Sequence, residues 1–169
     1  SSKRRSDSKI RIGVICPSKF EYEAIRDLAI AAHVSVCVSG MGKVRSACAV
    51  HELHRKNPGL RHVLLVGFAG GLSGLDVGDL IEPKLLIEQD YCAEPFEKFP
   101  NQIRLAPRRL VAGSKSATLL TQDRFVKGNP YAGSALARKH PRLACDMEAY
   151  AVAWAAAKIG LTCSVFKLI

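Results

Sequence analysis

The sequence lacks the short motifs that mark several common classes of functional site. Its six cysteines include no CxxC pair, and the HELH segment at residues 51–54 is one residue short of the HExxH zinc spacing. Neither the phosphate-loop spacing GxxxxGK[ST] nor the dinucleotide pattern GxGxxG occurs. We therefore expect no metal and no cofactor, and we interpret the cysteines as reduced thiols that lie mostly in apolar segments.

Long hydrophobic runs are also missing. No apolar run approaches the roughly 18 to 20 residues that cross a membrane, and the basic N-terminal segment has no apolar stretch behind it. These absences predict a soluble cytoplasmic protein with no membrane partner. The chain has 169 residues, of which 48% are hydrophobic, and it has no internal repeats. It can bury one substantial core, which predicts a single domain.

Positive charge is plentiful, but much of it is concentrated at one end. The formal net charge is +10, and residues 1–11 contain five basic residues against one acid. We predict a disordered basic leader at residues 1–11 and a single domain at residues 12–169. The other basic residues are spread without interleaved aromatics, which favours a solvated surface and no nucleic-acid partner. A nucleic-acid-binding module remains an alternative, and steering of an anionic ligand stays open.

A strand, turn and helix pattern recurs along the chain. Residues 10–16 and 34–39 have the β-branched content of strands. Each is followed by a turn and by apolar residues at helical spacing, over residues 20–31 and 44–54. The repetition predicts an α/β fold, specifically a three-layer αβα sandwich with a mixed, mainly parallel central sheet.

Residues 63–79 (VLLVGFAGGLSGLDVGD) form the segment around which the rest of the chain is organised. Four consecutive apolar residues predict a strand that is buried on both faces. The following Ala69, Gly70 and Gly71 predict a turn at which backbone can approach a ligand closely. Further on, Pro83 interrupts an extended segment and predicts a bend or a bulge.

Four separated motifs occur in one order along the chain: IGVICPSKFEYEAIRD, VSGMGKV, GFAGGLSGLDVGDLI and CDMEAYAVAWAAAKIGL. Together they resemble the purine nucleoside phosphorylase and methylthioadenosine/S-adenosylhomocysteine nucleosidase superfamily, over nearly all of residues 12–169. The resemblance implies a nucleoside phosphorylase-like fold, a small-molecule nucleoside substrate, a role in purine salvage and a homodimer or higher homo-oligomer.

The nucleosidase branch of that superfamily fits better, because its first strand ends in a short acidic segment in which a glutamate activates water. Glu21 lies at the matching distance from Gly13 and is the candidate general base. Glu23, about 200° further around the predicted helix, should point away and is the fallback. The resemblance implies hydrolysis of the N-glycosidic bond of a purine nucleoside or 5′-modified adenosine, in which a carboxylate deprotonates water and stabilises positive charge on the sugar.

The same resemblance implies the substrate-binding residues. Glu148 would accept hydrogen bonds from ribose hydroxyls, and Met147 would pack against the sugar. Phe125 would stack on the base, and backbone groups of the following Val126 would hydrogen-bond its edge. Backbone of Ala69, Gly70 and Gly71 would line the purine and ribose.

The sequence also departs from the family pattern. The aspartate that protonates the leaving base would lie just after Ile169, which predicts that the domain is incomplete at its C-terminus. Phe68 stands where relatives carry a small or hydroxylated residue, which puts the standard methylthioadenosine substrate in doubt. Two alternatives stay open: a phosphate-dependent phosphorylase with Arg45 as a possible phosphate ligand, beside Lys19 and Lys43, and a catalytically inactive nucleoside-binding domain.

Overall fold

The computed structural model describes residues 11–91, 101–106 and 111–169. The predicted basic leader lies outside these residues except for Arg11. Within them the chain forms the strands β1 (Ile12–Cys16), β2 (Ser35–Val38), β3 (His62–Phe68), β4 (Gly70–Ser73), β5 (Leu80–Glu88), β6 (Gln102–Arg104), β7 (Lys115–Thr121), β8 (Leu143–Asp146) and β9 (Thr162–Leu168). The helices are α1 (Lys19–Ala31), α2 (Lys43–Lys56), α3 (Ala135–Lys139) and α4 (Ala149–Lys158).

These strands belong to one sheet, in the order β2-β1-β3-β9-β5-β7-β8-β4, with β6 paired to β5. Pairing is parallel among β2, β1, β3 and β9, and again among β5, β7 and β8. Antiparallel pairings join β9 to β5, β8 to β4 and β5 to β6. The predicted α/β fold with a mixed, mainly parallel sheet is therefore confirmed.

The helices cover both faces of the sheet. Strand β2 lies on one side of β1 and β3 lies on the other. The connections β1-α1-β2 and β2-α2-β3 therefore run in opposite directions, so that the right-handed crossover rule places α1 and α2 on opposite faces. Helices α2 and α4 pack against each other and enclose the main hydrophobic core with the sheet. This arrangement gives the three predicted layers.

Helix α1 begins at a capping box. The Oγ atom of Ser18 accepts a hydrogen bond from the Glu21 N–H at 3.2 Å, and the Glu21 carboxylate accepts one from the Ser18 N–H at 2.7 Å. The helix is thus confirmed to within one residue of its predicted start. Its apolar positions are largely exposed, however, with Phe20 and Leu28 at 74% and 73% exposure. The buried residues of α1 are Glu21 and Ala29.

The glycine-rich segment after β3 is a strand rather than the predicted turn. Strand β3 ends at Phe68, and Gly70 already begins β4, which pairs antiparallel with β8. The predicted position of the turn is wrong because both glycines form part of this pairing. The chain instead turns at Gly74, where φ is +59° and a Cβ would overlap the carbonyl oxygen of Pro141.

The bend predicted at Pro83 is a β-bulge. The register between β5 and β7 shifts between Pro83 and Leu85. Proline has no N–H to donate to a neighbouring strand, so a break in the ladder is expected where it occurs.

Candidate active site

A cavity of about 410 Å³ lies at residues that end or follow β1, β3, β7 and β8. Open α/β sheets bind ligands at the carboxyl ends of their strands. The cavity is lined by Pro17, Ser18, Glu21, Met41, Phe68, Ala69, Gly70, Arg124, Phe125, Val126, Cys145, Asp146, Met147 and Glu148. The structure thus brings together all of the predicted catalytic and substrate-binding residues except Gly71.

Gly71 and Arg45 lie outside this lining. Gly71 packs against Ile169, whose Cγ2 would lie 2.8 Å from a Cβ at the glycine. Arg45 is on α2 with its aliphatic stem against Gly40, where Cδ would lie 3.0 Å from a Cβ. The possible phosphate ligand is therefore turned toward the glycine turn before its own helix.

The Glu21 carboxylate is buried and held by three hydrogen-bond donors. Its Oε2 accepts from the Ser18 N–H at 2.7 Å and from the Ser18 hydroxyl at 2.6 Å. Its Oε1 accepts from the Phe68 N–H at 2.9 Å. The capping box of α1 and the end of β3 therefore fix this carboxylate at the cavity. Glu23, by contrast, pairs with Arg26 at 2.7 Å on the exposed side of the helix, as predicted.

Gly67 provides the space for this carboxylate. A Cβ at Gly67 would overlap Glu21 Oε1 and would lie 3.2 Å from Pro17 Cδ. Carboxylate and strand can approach this closely only because no side chain stands between them. This is a steric reason for the break in the apolar run at Gly67.

Two further carboxylates at the cavity share one buried lysine. Lys167 is fully buried, with its Nζ 3.0 Å from Asp146 Oδ2 and 3.4 Å from Glu148 Oε2. Asp146 also accepts from the Thr121 hydroxyl at 2.7 Å and from the Ala149 N–H at 2.9 Å. The oxygens of Asp146 are therefore engaged by protein donors. Glu148 is engaged too, by the Gly42 N–H at 3.2 Å, the Met147 N–H at 3.3 Å and Lys167, but its contacts are longer than those of Asp146.

Burial and pairing act against each other in this group. Burial alone lowers the pKa of Lys167, but attraction from Asp146 and then Glu148 outweighs it, so the pKa lies above its ordinary value of 10.5. Burial raises the pKa of Glu148, and Lys167 only partly opposes the shift. The pKa values of Lys167 and Glu148 are both raised because the main partner of Lys167 is Asp146, at 3.0 Å. Glu148, at 3.4 Å, gains less from the lysine and does not recover the cost of its burial.

Cys145 lines the same cavity without being a suitable nucleophile. Burial, followed by the nearby Asp146 charge, raises the pKa of its thiol to about 11. A thiol with this pKa stays protonated at neutral pH, and the thiolate is the reactive form. The chemistry of the cavity therefore depends on its carboxylates.

The glycine turn before α2 contributes backbone donors to the site. Gly42 is the N-cap residue of α2 and has a φ of +100°. Its N–H donates to Glu148 Oε1 at 3.2 Å, and the Lys43 N–H donates to Asp123 Oδ1 at 2.7 Å. The N-terminus of α2 thus binds two carboxylates of the protein.

The segment that follows β7 carries the predicted base-binding residues. Phe125 and Val126 line the cavity, and the Phe125 side chain is 75% exposed. A side chain of this size gains little from its own packing while it is exposed. A flat apolar ligand in the cavity would cover it.

Phe68 also lines the cavity and is 44% exposed. Its ring centroid lies 5.9 Å from that of Phe20, with the rings tilted by 31°. This distance is typical of an interacting aromatic pair. The residue that departs from the family pattern therefore forms an aromatic edge beside Glu21.

Several residues of this site were not identified from the sequence, among them Lys167, Ser18 and Met41. Lys167 is the most informative, and its one signal is a lysine within the otherwise apolar segment TCSVFKLI. Ser18 lies in the turn before the predicted helix, and no pattern in the sequence marks its hydroxyl as a donor to Glu21. Met41 contacts the cavity from the glycine turn, and nothing in its local pattern distinguishes it from a surface residue.

A larger cavity, of about 610 Å³, lies beside α2 and α4. It is lined largely by apolar and aromatic side chains, including Tyr91, Tyr150 and Trp154. Neither Glu21 nor Glu148 reaches it. The smaller cavity is the candidate active site because it collects the chemically suited groups.

Among the residues that the structure describes, no group of three or more His, Cys, Asp or Glu side chains could hold a metal ion. Five described cysteines are free thiols: Cys16 and Cys145 are buried, Cys37 and Cys163 are half-buried, and Cys48 is exposed. In the same part of the chain, no helix is long and apolar enough to cross a membrane.

Comparison with known protein structures gives a consistent set of neighbours. A futalosine hydrolase mutant of Helicobacter pylori superposes with a TM-score of 0.80 at 22% identity, over 94% of this chain and 84% of that chain. The S-adenosylhomocysteine nucleosidase of Streptococcus pyogenes, in complex with 5-methylthiotubericidin, gives 0.78 at 20% identity, over 96% and 84%.

A third solved structure is the 5′-methylthioadenosine/S-adenosylhomocysteine nucleosidase of S. pneumoniae with a transition-state inhibitor. It gives a TM-score of 0.75 at 23% identity, over 94% of this chain and 84% of that chain. At these identities the likeness establishes the fold. No curated protein sequence matches the chain.

The family model of the phosphorylase superfamily matches residues 29–169, well over half of the chain. The match includes the glycine turn before α2, strand β3 with its glycine segment, and the β8-α4 unit with its acids. It confirms the superfamily resemblance and covers three of the four sequence motifs, while the first motif, with Glu21, precedes residue 29. The chain belongs to the phosphorylase superfamily.

Proposed function

We propose that the protein is a nucleosidase that hydrolyses the N-glycosidic bond of a purine nucleoside or 5′-modified adenosine to free base and sugar. The observation that carries the proposal is the Glu21 carboxylate, which is buried at the cavity and fixed by three neutral donors. The solved nucleosidases that share the fold support the same reaction class.

Glu21 acts as the general base. A water between Glu21 and the sugar attacks C1′, and its proton passes to the carboxylate as the bond to the base nitrogen breaks. The bonding electrons leave with the base, and the sugar develops oxocarbenium character. The negative charge of Glu21 stabilises that transition state before it accepts the proton.

The remaining cavity residues bind the two parts of the nucleoside. Glu148 accepts hydrogen bonds from ribose hydroxyls, and Met147 packs against the sugar. Phe125 stacks on the base, and its exposed ring offers a flat apolar face for that contact. Ala69 and Gly70 present backbone to the nucleoside, which can then approach closely.

The departing base needs a proton, and the resemblance predicts its donor just after Ile169. Strand β9 ends beside the cavity, because the Ala69 N–H donates to the Leu168 carbonyl at 2.9 Å and Ala69 lines the cavity. A carboxylic acid shortly after Ile169 would therefore be close to the base.

Phosphorolysis is the second candidate reaction, and the placement of the basic residues argues against it. Arg45 does not line the cavity, and the Lys43 ammonium is already within 2.8 Å of two carboxylates. Arg124 is the one arginine in the described lining, next to the base-binding residue Phe125. A phosphate ion needs several converging donors.

The proposal is tested by incubating the purified protein with adenosine, inosine, methylthioadenosine and S-adenosylhomocysteine, with and without phosphate. We expect free base to appear without phosphate. Glu21→Gln should lower kcat by roughly 10²- to 10⁴-fold, the usual contribution of a general base. Glu23→Gln is the matched control and should leave kcat unchanged, because Glu23 pairs with Arg26 outside the cavity.

Each alternative has its own result in this assay. Strict dependence on phosphate would establish phosphorolysis. Tight binding of a nucleoside without turnover would establish an inactive binding domain. Equal kcat values for Glu21→Gln and the wild type would overturn the assignment of the base.

We also propose that the protein works as a homodimer in the cytoplasm, in purine salvage. Val44 and Trp154, at the larger cavity, are 74% and 48% exposed, and apolar surface of this kind favours association. Free thiols are typical of a reducing compartment. Light scattering after size-exclusion chromatography tests the dimer, which a monomer mass at micromolar concentration would contradict.

A further inference from the structure

The turn between β2 and α2 is connected to two walls of the candidate active site. The first amides of a helix have no partner within the helix, and Gly42 offers no side-chain cap. Glu148 takes the Gly42 N–H and Asp123 takes the Lys43 N–H. The consecutive amides of Gly42 and Lys43 thus connect Glu148, the proposed ribose-binding carboxylate, to the loop that carries Phe125.

The Lys43 side chain makes a second connection to the same loop. Its Nζ lies 2.7 Å from Asp90 Oδ1 and 2.8 Å from Glu88 Oε1. The other oxygen of Asp90 accepts from the Asp123 N–H at 2.8 Å. Lys43 is therefore connected to Asp123 in two ways. Its backbone N–H binds the Asp123 carboxylate, and its ammonium binds Asp90, which in turn accepts the Asp123 N–H.

These contacts are suited to holding a segment in place. The Lys43 side chain is only 18% exposed, and hydrogen bonds between charged groups are stronger than neutral ones. Burial opposes the charge of Lys43, but bonds to Asp90 and Glu88 outweigh it, so the pKa lies above 10.5 and the ammonium persists. Two carboxylates already saturate much of its donor capacity, which favours this role over phosphate binding.

Asp123 lies two residues before Phe125, whose ring is largely exposed. The packing of Phe125 therefore fixes the position of its ring only weakly, and the position of the ring depends more on the contacts of Asp123. We infer that Lys43 is a positioning residue for the base-binding loop, acting through Asp90 and Asp123. The inference rests on the proposed function in one respect, namely that this loop binds the base of the nucleoside.

The position of the loop can be measured without any activity. Hydrogen exchange of the amides at residues 123–126 should be roughly 10-fold faster in Lys43→Met, because a charge-assisted bond is lost. Lys43→Arg should restore slow exchange. Lys115→Met is the matched control. Lys115 is the first residue of β7 and pairs with Asp79 at 2.7 Å, so its removal should leave exchange at residues 123–126 unchanged.

Kinetics give a second readout on an active enzyme. Lys43→Met should raise KM for the nucleoside roughly 10-fold and change kcat much less, because base binding is weakened while Glu21 is untouched. Combined with Phe125→Ala, it should raise KM no further than Phe125→Ala alone, since both changes act through one contact.

The outcomes separate the inference from the proposed function. A wild-type protein that releases no base would overturn the proposed function, while exchange at residues 123–126 would still decide the role of Lys43. Unchanged exchange in Lys43→Met, equal acceleration in Lys115→Met, or additive effects on KM with Phe125→Ala would each overturn the inference.

Discussion

The two walls of the candidate site hold their carboxylates by different means. On the α1 wall, Glu21 accepts hydrogen bonds from Ser18 and from the Phe68 backbone, and none of these donors carries a charge. On the β8–β9 wall, Asp146 and Glu148 lie within 3.0 and 3.4 Å of the buried Lys167 ammonium.

This difference indicates a division of labour. Neutral donors orient the Glu21 carboxylate without a direct ion pair, an arrangement that suits a base beside a cationic sugar. A buried lysine offsets the charge of its neighbours, and this allows two acids to be buried side by side. Under the proposed function, the β8–β9 wall with its buried lysine (the lysine wall) would bind hydroxyl groups, and the α1 wall would carry the base.

Removing the lysine should have the largest effect on stability. Lys167→Met leaves Asp146 and Glu148 buried without a counter-charge, which should lower the free energy of unfolding by about 3–5 kcal/mol. Chemical denaturation at pH 7 measures the change. Lys115→Met is the control: its ion pair with Asp79 is 41% exposed on the lysine side, so the loss should be much smaller. Equal losses would show that the lysine wall is not a charge-compensating unit.

Removing one neutral donor should have a smaller effect, mainly on the rate. Ser18→Ala should cost about 1 kcal/mol of stability as a lost helix cap. It should also lower kcat roughly 10-fold with little change in KM, because a hydrogen bond to the charged Glu21 disappears. Ser18→Thr, which keeps the hydroxyl, should restore kcat.

The chain offers a matched cap for this test. Ser134 is the N-cap residue of α3 and accepts from the Ala137 N–H at 3.1 Å, away from the cavity lining. Ser134→Ala should lower stability without changing kcat. If both alanine variants leave kcat intact, the α1 wall holds its base without the serine hydroxyl.

The sequence predicted the position of the carboxylate on the α1 wall but not the ion pairs of the β8–β9 wall. The spacing from Gly13 and the helical periodicity of residues 20–31 are local, so the sequence was sufficient to predict that Glu21 lies near the start of α1. Apolar periodicity nevertheless indicated the wrong buried face of that helix. Phe20 and Leu28 are exposed, and Glu21 is buried, because the strand leaves space for a carboxylate at Gly67.

The other wall depends on contacts that no local pattern reveals. Strands β8 and β9 are separated in the sheet by β5 and β7, yet Lys167 on β9 contacts Asp146 on β8. Neighbouring strands twist relative to one another, and such a contact requires the sheet to curl. A lone lysine in an apolar strand gives no indication of its partner, so only the three-dimensional arrangement identified this pair.

The weakest expected effect concerns the pH dependence of the lysine wall. Because the pKa of Glu148 is raised in the folded protein, its contribution to stability is complete below the ordinary value of 4.5. That contribution is lost as the pH rises through the folded-state pKa. Lys167, with its pKa above 10.5, stays charged throughout this range and contributes no slope.

Glu148→Gln removes this titration while keeping an acceptor for the Gly42 N–H. The free energy of unfolding of the variant, relative to the wild type, should therefore increase between pH 4 and pH 7, by less than the change caused by Lys167→Met. Urea denaturation at several pH values measures the difference. A flat or falling difference would mean that Lys167 compensates Glu148 fully, and that both acids on this wall are held as ion pairs.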